Sequence, residues 1–242
     1  MRFTDKIAVV TGAGRGLGAA YARAFAKEGA IALLIGLHLD NIEKVAQEII
    51  DQGGKAKAYR CDIGDFDAVQ GVFDAIHAEF GHVDILVNNA AFHKSMPVVD
   101  TPAALWDAQI RVNLNGTFYC TKCALPGMIA RRYGKIINIS SSAAKYFFPG
   151  FGAYSASKGG VMSFTNTLSE EVKQYDINVN SVYLGMVNTE HTRERADSDA
   201  AVTIPLDDMM QVEEVAKVVL YLASDEAAPF MGAALDVFKK KA

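Results

Sequence analysis

The sequence has few cysteines and no strong excess of charge. Three cysteines among 242 residues leave at least one thiol unpaired within the chain, as expected of a reducing compartment. The 24 basic residues nearly balance the 28 acidic ones, and the formal net charge is −4. So small a charge excludes a global field that would attract nucleic acid or anionic lipid.

Long hydrophobic runs are also absent. The longest apolar stretch, residues 30–37, is far shorter than the roughly 20 residues that a helix needs to cross a bilayer. Residues 1–6 lead directly into a strand-like segment and lack the apolar region of a secretory signal. We therefore expect a cytoplasmic protein without membrane or nucleic-acid partners.

Apolar residues, by contrast, make up half of the chain, which is enough to build a sizeable core. Strand-like runs, mostly apolar at consecutive positions, alternate with helix-like stretches, as is typical of parallel strands covered on both faces. The predicted strands are 7–11, 31–35, 55–61, 83–88, 135–140, 177–183 and 233–237. The predicted helices are 17–28, 41–52, 66–80, 102–131, 153–175 and 212–222.

Repeated strand–helix–strand units predict an α/β fold, a doubly wound parallel sheet of about seven strands with helices on both faces. No linker rich in proline or serine divides the chain and no repeat recurs, so we interpret residues 1–242 as a single domain. The least regular stretch, 190–208, is polar and loop-like. It is either a mobile substrate lid or an ordinary surface connection.

A glycine-rich turn joins the first predicted strand to the first predicted helix. It contains Gly12, Gly14, Gly16 and Gly18. Glycines let a backbone turn tightly and approach a pyrophosphate, while the helix N-terminus supplies N–H groups and positive potential. The position of the turn indicates a dinucleotide-binding loop rather than a simple tight turn.

Tyr154 and Lys158 lie four residues apart in a predicted helix, so both project from one face. A free tyrosine, with a pKa of about 10, is a poor base at neutral pH. A nearby ammonium stabilises the phenolate and lowers that pKa, as general acid–base catalysis requires. Taken alone, this spacing is more often an ordinary surface pair.

Several motifs in one order resemble the short-chain dehydrogenase/reductase family. The glycine turn has the spacing TGxxxGxG, Asn88-Asn89-Ala90 closes the fourth predicted strand, and Asn113 lies in a helical segment. Ser141 precedes Tyr154 by 13 positions, and Tyr154 with Lys158 fits YxxxK. The resemblance covers nearly the whole chain and extends to 3-oxoacyl-acyl-carrier-protein reductase-like members. It implies a Rossmann-type fold and an NAD(P)-dependent oxidoreductase that interconverts a ketone and a secondary alcohol.

The resemblance also implies site residues. Tyr154 would exchange a proton with the substrate oxygen, and Ser141 would hydrogen-bond the same oxygen. Lys158 would also hold the nicotinamide ribose, and Asn113 would maintain a water path to Lys158. The implied cofactor-binding residues are Gly12, Arg15, Gly16, Leu17, Gly18, Asp62, Ile63, Asn89, Ala90, Tyr154, Lys158, Val187 and Thr189. No metal is needed, and the five histidines form no metal-type cluster in the sequence.

The end of the second predicted strand bears on the choice between NAD and NADP. An acidic residue there would bind the ribose 2′-hydroxyl and repel a 2′-phosphate. Gly36, Leu37 and His38 supply neither that acid nor the arginine of many NADP-dependent members. Arg15 is available to a 2′-phosphate, so we expect a weak preference for NADP, with NAD as the alternative.

Three positions depart from the family pattern. Ala91 replaces the glycine of the NNAG motif, and Leu184 replaces the proline of a PGxxxT-like segment. The C-terminal VDGG motif is missing.

Two further features have more than one interpretation. Cys120 and Cys123 have CxxC spacing, but their helical position and the lack of a partner pair favour packing over zinc or redox chemistry. Four aromatic residues follow Ser141 and either line an apolar substrate pocket or cover the sheet edge. They are Tyr146, Phe147, Phe148 and Phe151.

The expected partners are a small carbonyl or alcohol substrate and further copies of the chain in a homotetramer, with a dimer as the alternative. A 3-oxoacyl thioester is the leading substrate, and a hydroxysteroid or polyol is second. Arg131 and Arg132 are available to an acidic carrier protein, although a solvated helix end explains them equally well. A catalytically inactive dinucleotide-binding sensor or structural protein is the alternative function.

Overall fold

The framework of the molecule is a parallel sheet. The computed structural model describes residues 1–198, 205 and 208–239. Its strands are β1 (Ile7–Thr11), β2 (Ile31–Gly36), β3 (Lys55–Arg60), β4 (Ile85–Asn88), β5 (Gly134–Ser141), β6 (Ile177–Leu184), β7 (Val187–Asn188), β8 (Met210–Gln211) and β9 (Ala234–Val237). All pair in parallel, seven in the order β3-β2-β1-β4-β5-β6-β9, while β7 and β8 form a small separate pair.

Helices cover both faces of the large sheet, which confirms the predicted Rossmann-type α/β fold. They are α1 (Gly16–Lys27), α2 (Leu39–Asp51), α3 (Phe66–Phe80), α4 (Ala103–Ile110), α5 (Gly116–Arg131), α6 (Gly152–Val172), α7 (Glu190–Ser198) and α8 (Val212–Ala223). The core on one face includes α1, α2 and α8, and the core on the other includes α3, α5 and α6. Within the described ranges, no helix is long and apolar enough to cross a membrane.

Strand β1 shows why its sequence is apolar without alternation. Ala8 and Val10 pack into the core beneath α1 and α8, whereas Ile7 and Val9 pack into the core beneath α3 and α5. Because successive side chains point to opposite faces and both faces are covered, every position of the strand is buried.

The predicted helical stretch 102–131 is helical from Ala103 to Arg131, but it is not one regular α-helix. Helix α4 ends at Ile110, and a π-helical turn, Arg111–Asn115, connects it to α5. A π turn changes the hydrogen-bonding step over a few residues only, so it leaves no mark in a hydrophobic period read over several turns.

The prediction that 190–208 is loop-like was wrong for its first half. Helix α7 covers Glu190–Ser198, and the Thr189 hydroxyl accepts a hydrogen bond from the Thr192 N–H at 3.1 Å, as a helix-capping residue does. The polar segment shows no apolar stripe from which a helix could be read. The predicted lid extends over 199–204 and 206–207, which lie outside the described residues.

Candidate active site

The glycine turn lies where the order of strands reverses. From β1 the chain passes to β2 and β3 on one side and then returns to β4 on the other. The connections leaving the carboxyl ends of β1 and β4 therefore diverge and leave a crevice, the usual ligand site of such sheets.

Two of the turn's glycines have no room for a side chain. Gly12 has φ +66°, and a Cβ there would lie 2.8 Å from the Ala90 Cα. A Cβ on Gly18 would lie only 2.2 Å from the Gly12 carbonyl oxygen. The first turn of α1 thus packs directly on the loop, and the backbone itself forms the wall of the crevice.

Hydrogen bonds tie the end of β4 to the same turn. The Thr11 hydroxyl accepts from the N–H groups of Asn89 and Ala90, both at 3.0 Å. The Asn89 amide donates to the Thr11 carbonyl at 2.9 Å. Asn88 instead points into the core, where its amide donates to Asn138 at 2.9 Å. The two adjacent asparagines therefore serve different purposes, one holding the loop and the other joining β4 to β5.

Helix α1 directs its N-terminus at the crevice. No side chain among the described residues caps it, so its first N–H groups remain available to an anion. Arg15 precedes the helix and pairs with Glu194 of α7 at 3.2 Å. The helix N-terminus and Arg15 therefore supply positive charge at the glycine wall, and Glu194 partly offsets it.

The resulting cleft has a volume of about 700 Å³. Ten predicted cofactor-binding residues line it: Gly12, Arg15, Gly16, Leu17, Gly18, Asp62, Ile63, Asn89, Ala90 and Thr189. Val187 does not line it, because its side chain is buried in β7 opposite Met210 of β8. Tyr154 and Lys158 do not line it either, but His93 does, and its ring contacts the Tyr154 ring.

Asp62 is held by a residue that the sequence did not single out. The Arg111 guanidinium lies 2.9 Å from the Asp62 carboxylate, and the Gly64 N–H donates to the same side chain. Partial burial opposes ionisation, but these bonds hold the Asp62 pKa below its ordinary value. Arg111 stands two residues before Asn113, and only the π turn and the sheet bring it to the cleft.

The end of β2 presents no carboxylate to the cleft among the residues that the structure describes. Leu37, His38 and Asn41 line it there, and Asp40 lines only a smaller neighbouring depression together with Arg60. Arg60 stands opposite Gly36 in the β2–β3 register. Sequence reasoning missed Arg60, although its position at the end of a predicted strand next to β2 was a usable signal.

Lys158 is a buried cation next to Tyr154. Its ammonium donates to the Ile139 carbonyl at 2.7 Å and lies 5.9 Å from the centre of the Tyr154 ring. Only 3% of the residue is exposed, and this burial lowers the Lys158 pKa to about 8. Helix α6 thus brings Tyr154 and Lys158 together as their spacing predicts.

Asn113 is fully buried, and hydrogen bonds through the Ser157 hydroxyl connect it to the backbone carbonyl of Tyr154. Its amide oxygen accepts from the Phe92 N–H at 2.7 Å, and its amide nitrogen donates to the Phe92 carbonyl at 2.9 Å and to the Ser157 hydroxyl at 3.0 Å. The Ser157 hydroxyl in turn donates to the Tyr154 carbonyl at 2.7 Å. Asn113 therefore joins the segment after β4 to the helix that carries Tyr154.

Ser141 ends β5 on the same side of the sheet. Its hydroxyl oxygen accepts from the Ala143 N–H at 3.2 Å, which leaves the hydroxyl proton available to an acceptor in the site. Of the aromatic residues that follow, Phe151 stands 6.1 Å from the Tyr154 ring and Phe148 stacks on Phe151 at 5.4 Å. Phe147, in contrast, is 98% exposed.

Leu184 lengthens a strand where the family motif has proline. It pairs with Ser141 of β5 and with Val237 of β9, and its side chain is buried. A proline would remove an N–H from this ladder. Strand β6 consequently runs unbroken to the edge of the site, and Gly185 continues the contact by donating to the Val237 carbonyl at 3.1 Å.

The cysteines lie in the core as predicted for packing residues. Cys61, Cys120 and Cys123 are buried free thiols. Burial raises the pKa of each, that of Cys61 to about 11, so all three are poor nucleophiles at neutral pH.

Known sequences resemble this chain over nearly its full length. The short chain dehydrogenase family model matches residues 6–200. The chain is 36% identical over 240 residues to a 3-oxoacyl-[acyl-carrier-protein] reductase of Thermotoga maritima, with 98% of both chains covered. It is 34% identical over 238 residues to D-threitol dehydrogenase of Mycolicibacterium smegmatis, which covers 97% of this chain and 92% of that one.

Solved structures agree with this assignment. NAD⁺-bound xylitol dehydrogenase matches with a TM-score of 0.93 at 28% identity, covering 99% of this chain and all of that one. A short-chain dehydrogenase/reductase from Mycobacterium marinum matches with a TM-score of 0.92 at 31% identity, covering 98% and 95%. The chain therefore belongs to the short-chain dehydrogenase/reductase family and is an oxidoreductase that acts on CH–OH and C=O groups.

Proposed function

We propose that this protein is an NADP-dependent reductase of a 3-oxoacyl thioester, with Tyr154 as the group that exchanges a proton with the substrate oxygen. The observation that carries the proposal is the buried ammonium of Lys158, 5.9 Å from the centre of the Tyr154 ring. Burying a lysine is costly, so its presence beside a tyrosine at the cleft favours a chemical role.

The cleft fits a dinucleotide. Its glycine turn packs closely on β4 and α1 and presents backbone to the cleft, and the uncapped N-terminus of α1 would bind the phosphates. Asp62 and Ile63 would contact the adenine, and Lys158 would hold the nicotinamide ribose. When bound, the nicotinamide supplies or accepts the hydride.

Proton transfer would run through Tyr154. With a pKa of about 8, Lys158 is mostly cationic at pH 7, and its charge would stabilise the phenolate and lower the tyrosine pKa. The Ser141 hydroxyl would donate a hydrogen bond to the substrate oxygen. Asn113, bonded to Ser157 beneath Tyr154, would hold the water path that returns protons to Lys158.

A preference for NADP follows from the charges around the end of β2. No carboxylate among the described residues lining the cleft stands at that strand's end, whereas Arg15 stands at the mouth of the cleft and Arg60 beside Gly36. A 2′-phosphate would meet Arg15 and Arg60 there, but Arg15 is paired with Glu194 and Arg60 shares its depression with Asp40, so the preference should be weak.

An apolar acyl substrate fits the surroundings of Tyr154 better than a polyol does. Phe151 meets it edge-on, Phe148 packs against Phe151, and neither ring offers hydrogen bonds to a row of hydroxyl groups. Arg131 and Arg132 precede β5, at the sheet edge opposite the cleft, and pair with Asp84 and Asp176. We therefore propose that free substrates such as coenzyme A thioesters react at least as well as acyl chains on a carrier protein.

We further propose a cytoplasmic homotetramer. The free buried thiols suit a reducing compartment, and the exposed Phe118 and Trp106 on α5 and α4 offer apolar surface for a second subunit. Light scattering at micromolar concentration tests the assembly, and a monomer would contradict it.

The test of the function is an assay of 3-oxoacyl coenzyme A, cyclic ketones and polyols with NADPH and NADH, followed by the absorbance of the reduced nicotinamide. We expect turnover of the thioester, faster with NADPH. Tight cofactor binding without turnover of any ketone or alcohol would instead support the alternative of a catalytically inactive sensor. A matched comparison of acyl groups on coenzyme A and on carrier protein, at several ionic strengths, tests the choice of carrier.

A further inference from the structure

Two buried side-chain amides hold the irregular segment that follows β4. Residues 89–97 form neither helix nor strand. Asn113 bonds both the N–H and the carbonyl of Phe92. Gln109, one helical turn earlier and only 2% exposed, does the same for Lys94, accepting from its N–H and donating to its carbonyl, both at 3.3 Å. Each amide therefore replaces the hydrogen bonds that a neighbouring strand would supply.

His93 stands between the two bonded residues. Its ring centre lies 4.4 Å from that of Tyr154 and 4.4 Å from that of Phe151, with interplanar angles of 48° and 54°. The imidazole also lines the cleft. The paired bonds on either side restrain the backbone from which the His93 ring projects, and the ring itself packs against Phe151.

The orientation of the Tyr154 ring matters for proton transfer. The side chain of a tyrosine swings about its Cα–Cβ bond, and its hydroxyl lies at the far end of the ring. A small rotation therefore moves the hydroxyl by a large fraction of a hydrogen-bond length, and a misplacement of about 1 Å can cost about 100-fold in rate.

We propose that His93 is a positioning residue for Tyr154, its imidazole kept against the phenol ring by the paired bonds of Gln109 to Lys94 and of Asn113 to Phe92. This inference rests on the proposed role of Tyr154 in proton transfer. The rings of His93 and Tyr154 are in contact, and a phenyl ring at position 93 would preserve that contact whereas a methyl group would not.

Steady-state kinetics of four variants test this. His93→Ala should lower kcat about tenfold and leave the cofactor KM within about twofold, because the glycine wall is untouched. His93→Phe should recover most of the lost kcat. Gln109→Ala should also lower kcat, and the double variant His93→Ala/Gln109→Ala should be no slower than His93→Ala alone, because both changes act through one contact. Gln47→Ala, an exposed glutamine bonded locally to Asp51, serves as the control and should match the wild type.

Several outcomes would overturn the inference. They are an unchanged kcat in His93→Ala, no recovery in His93→Phe, or additive losses in the double variant. Thermal unfolding of each variant, measured with and without cofactor, separates a loss of fold from a loss of position. Tyr154→Phe separates the proposed function from the positioning role of His93: if this variant keeps its kcat, the proposed function fails. If it loses kcat while His93→Ala does not, only the positioning role fails.

Discussion

The cofactor side and the substrate side of the cleft are built from different parts of the chain. The cofactor side is mostly backbone, a glycine turn packed on a helix N-terminus and tied by Thr11 and Asn89. The substrate side is mostly side chains, in which aromatic rings surround Tyr154 above the buried Lys158.

This difference predicts how each side responds to substitution. The glycine wall has no side chains to exchange. A substitution there adds atoms where the backbone is already closely packed, so it should affect the binding of the cofactor. A wall made of rings can exchange one ring for another while the cofactor still binds. Substitutions on the two sides should therefore separate into effects on cofactor affinity and effects on turnover.

The largest expected effect is that of Tyr154→Phe on turnover. The variant keeps the ring and its packing but loses the hydroxyl, so kcat should fall by roughly 100- to 10,000-fold. Cofactor affinity, measured by the fluorescence of the bound reduced nicotinamide, should change by less than about threefold. A variant that keeps more than about a tenth of the wild-type kcat would contradict the role of Tyr154.

Gly18→Ala should produce the converse result. The added Cβ would stand 2.2 Å from the Gly12 carbonyl oxygen, so the loop must move. Overpacking of this kind costs about 1–3 kcal/mol, which corresponds to roughly 10- to 100-fold in cofactor affinity by titration calorimetry.

Gly71→Ala is the matched control for that substitution. This glycine lies in helix α3 with nothing within 4 Å of the methyl group that alanine would add, and alanine is the better helix former by about 0.5–1 kcal/mol. Cofactor affinity should not change and the protein should be slightly more stable. Equal affinities in the two variants would show that the glycine turn does not bind the cofactor.

Lys158→Met should change how stability depends on pH. In the folded wild type the Lys158 pKa is about 8, against 10.5 for an unperturbed lysine. Between these values the unfolded chain binds more protons than the folded one, so the wild type gains stability as the pH rises. Relative to the variant, it should gain about 3 kcal/mol between pH 7 and pH 10.5 in urea unfolding of the cofactor-free protein. If the free energies of unfolding of the two proteins differ by the same amount at every pH, the lowered pKa of Lys158 is contradicted.

The smallest effect concerns the choice of cofactor. Arg15→Gln removes one cation from the mouth of the cleft, where the side chain is 55% exposed, so its interaction with a phosphate is partly screened. We expect kcat/KM to fall several-fold for NADPH and hardly at all for NADH. An equal loss for both cofactors would show that Arg15 does not distinguish them.

Much of the architecture was accessible from the sequence because its signals are local. The apolar runs predicted the inner strands of the large sheet to within a few residues, since a strand covered on both faces must be apolar throughout. The edge strands β3 and β9 instead alternate between exposed and partly buried residues. The spacing of Tyr154 and Lys158 predicted their common face, because α6 is a regular helix through both. The sequence alone also shows that no acidic residue stands at the end of β2, where Gly36, Leu37 and His38 lie.

Other features leave no readable signal in the sequence. The π turn is a local exception to helical periodicity, and no apolar pattern marks it. The remaining features depend on residues that are distant in the chain. Arg111 reaches Asp62 across 49 positions, and Asn113 reaches Phe92 across 21, through contacts that exist only once the helix packs on the sheet. Leu184 stands out in the sequence as a departure from a motif, and only the ladder with β5 and β9 shows that it extends β6.

The sequence by itself determined the α/β architecture, the glycine turn and the tyrosine–lysine pair, because periodicity and short spacings encode each of them within a few turns of chain. Tertiary structure decided which side chains surround Tyr154, how Asp62 is paired and where His93 lies. Those contacts join loops that follow different strands, and only the parallel sheet, which collects the carboxyl ends of its strands at one edge, brings such loops together.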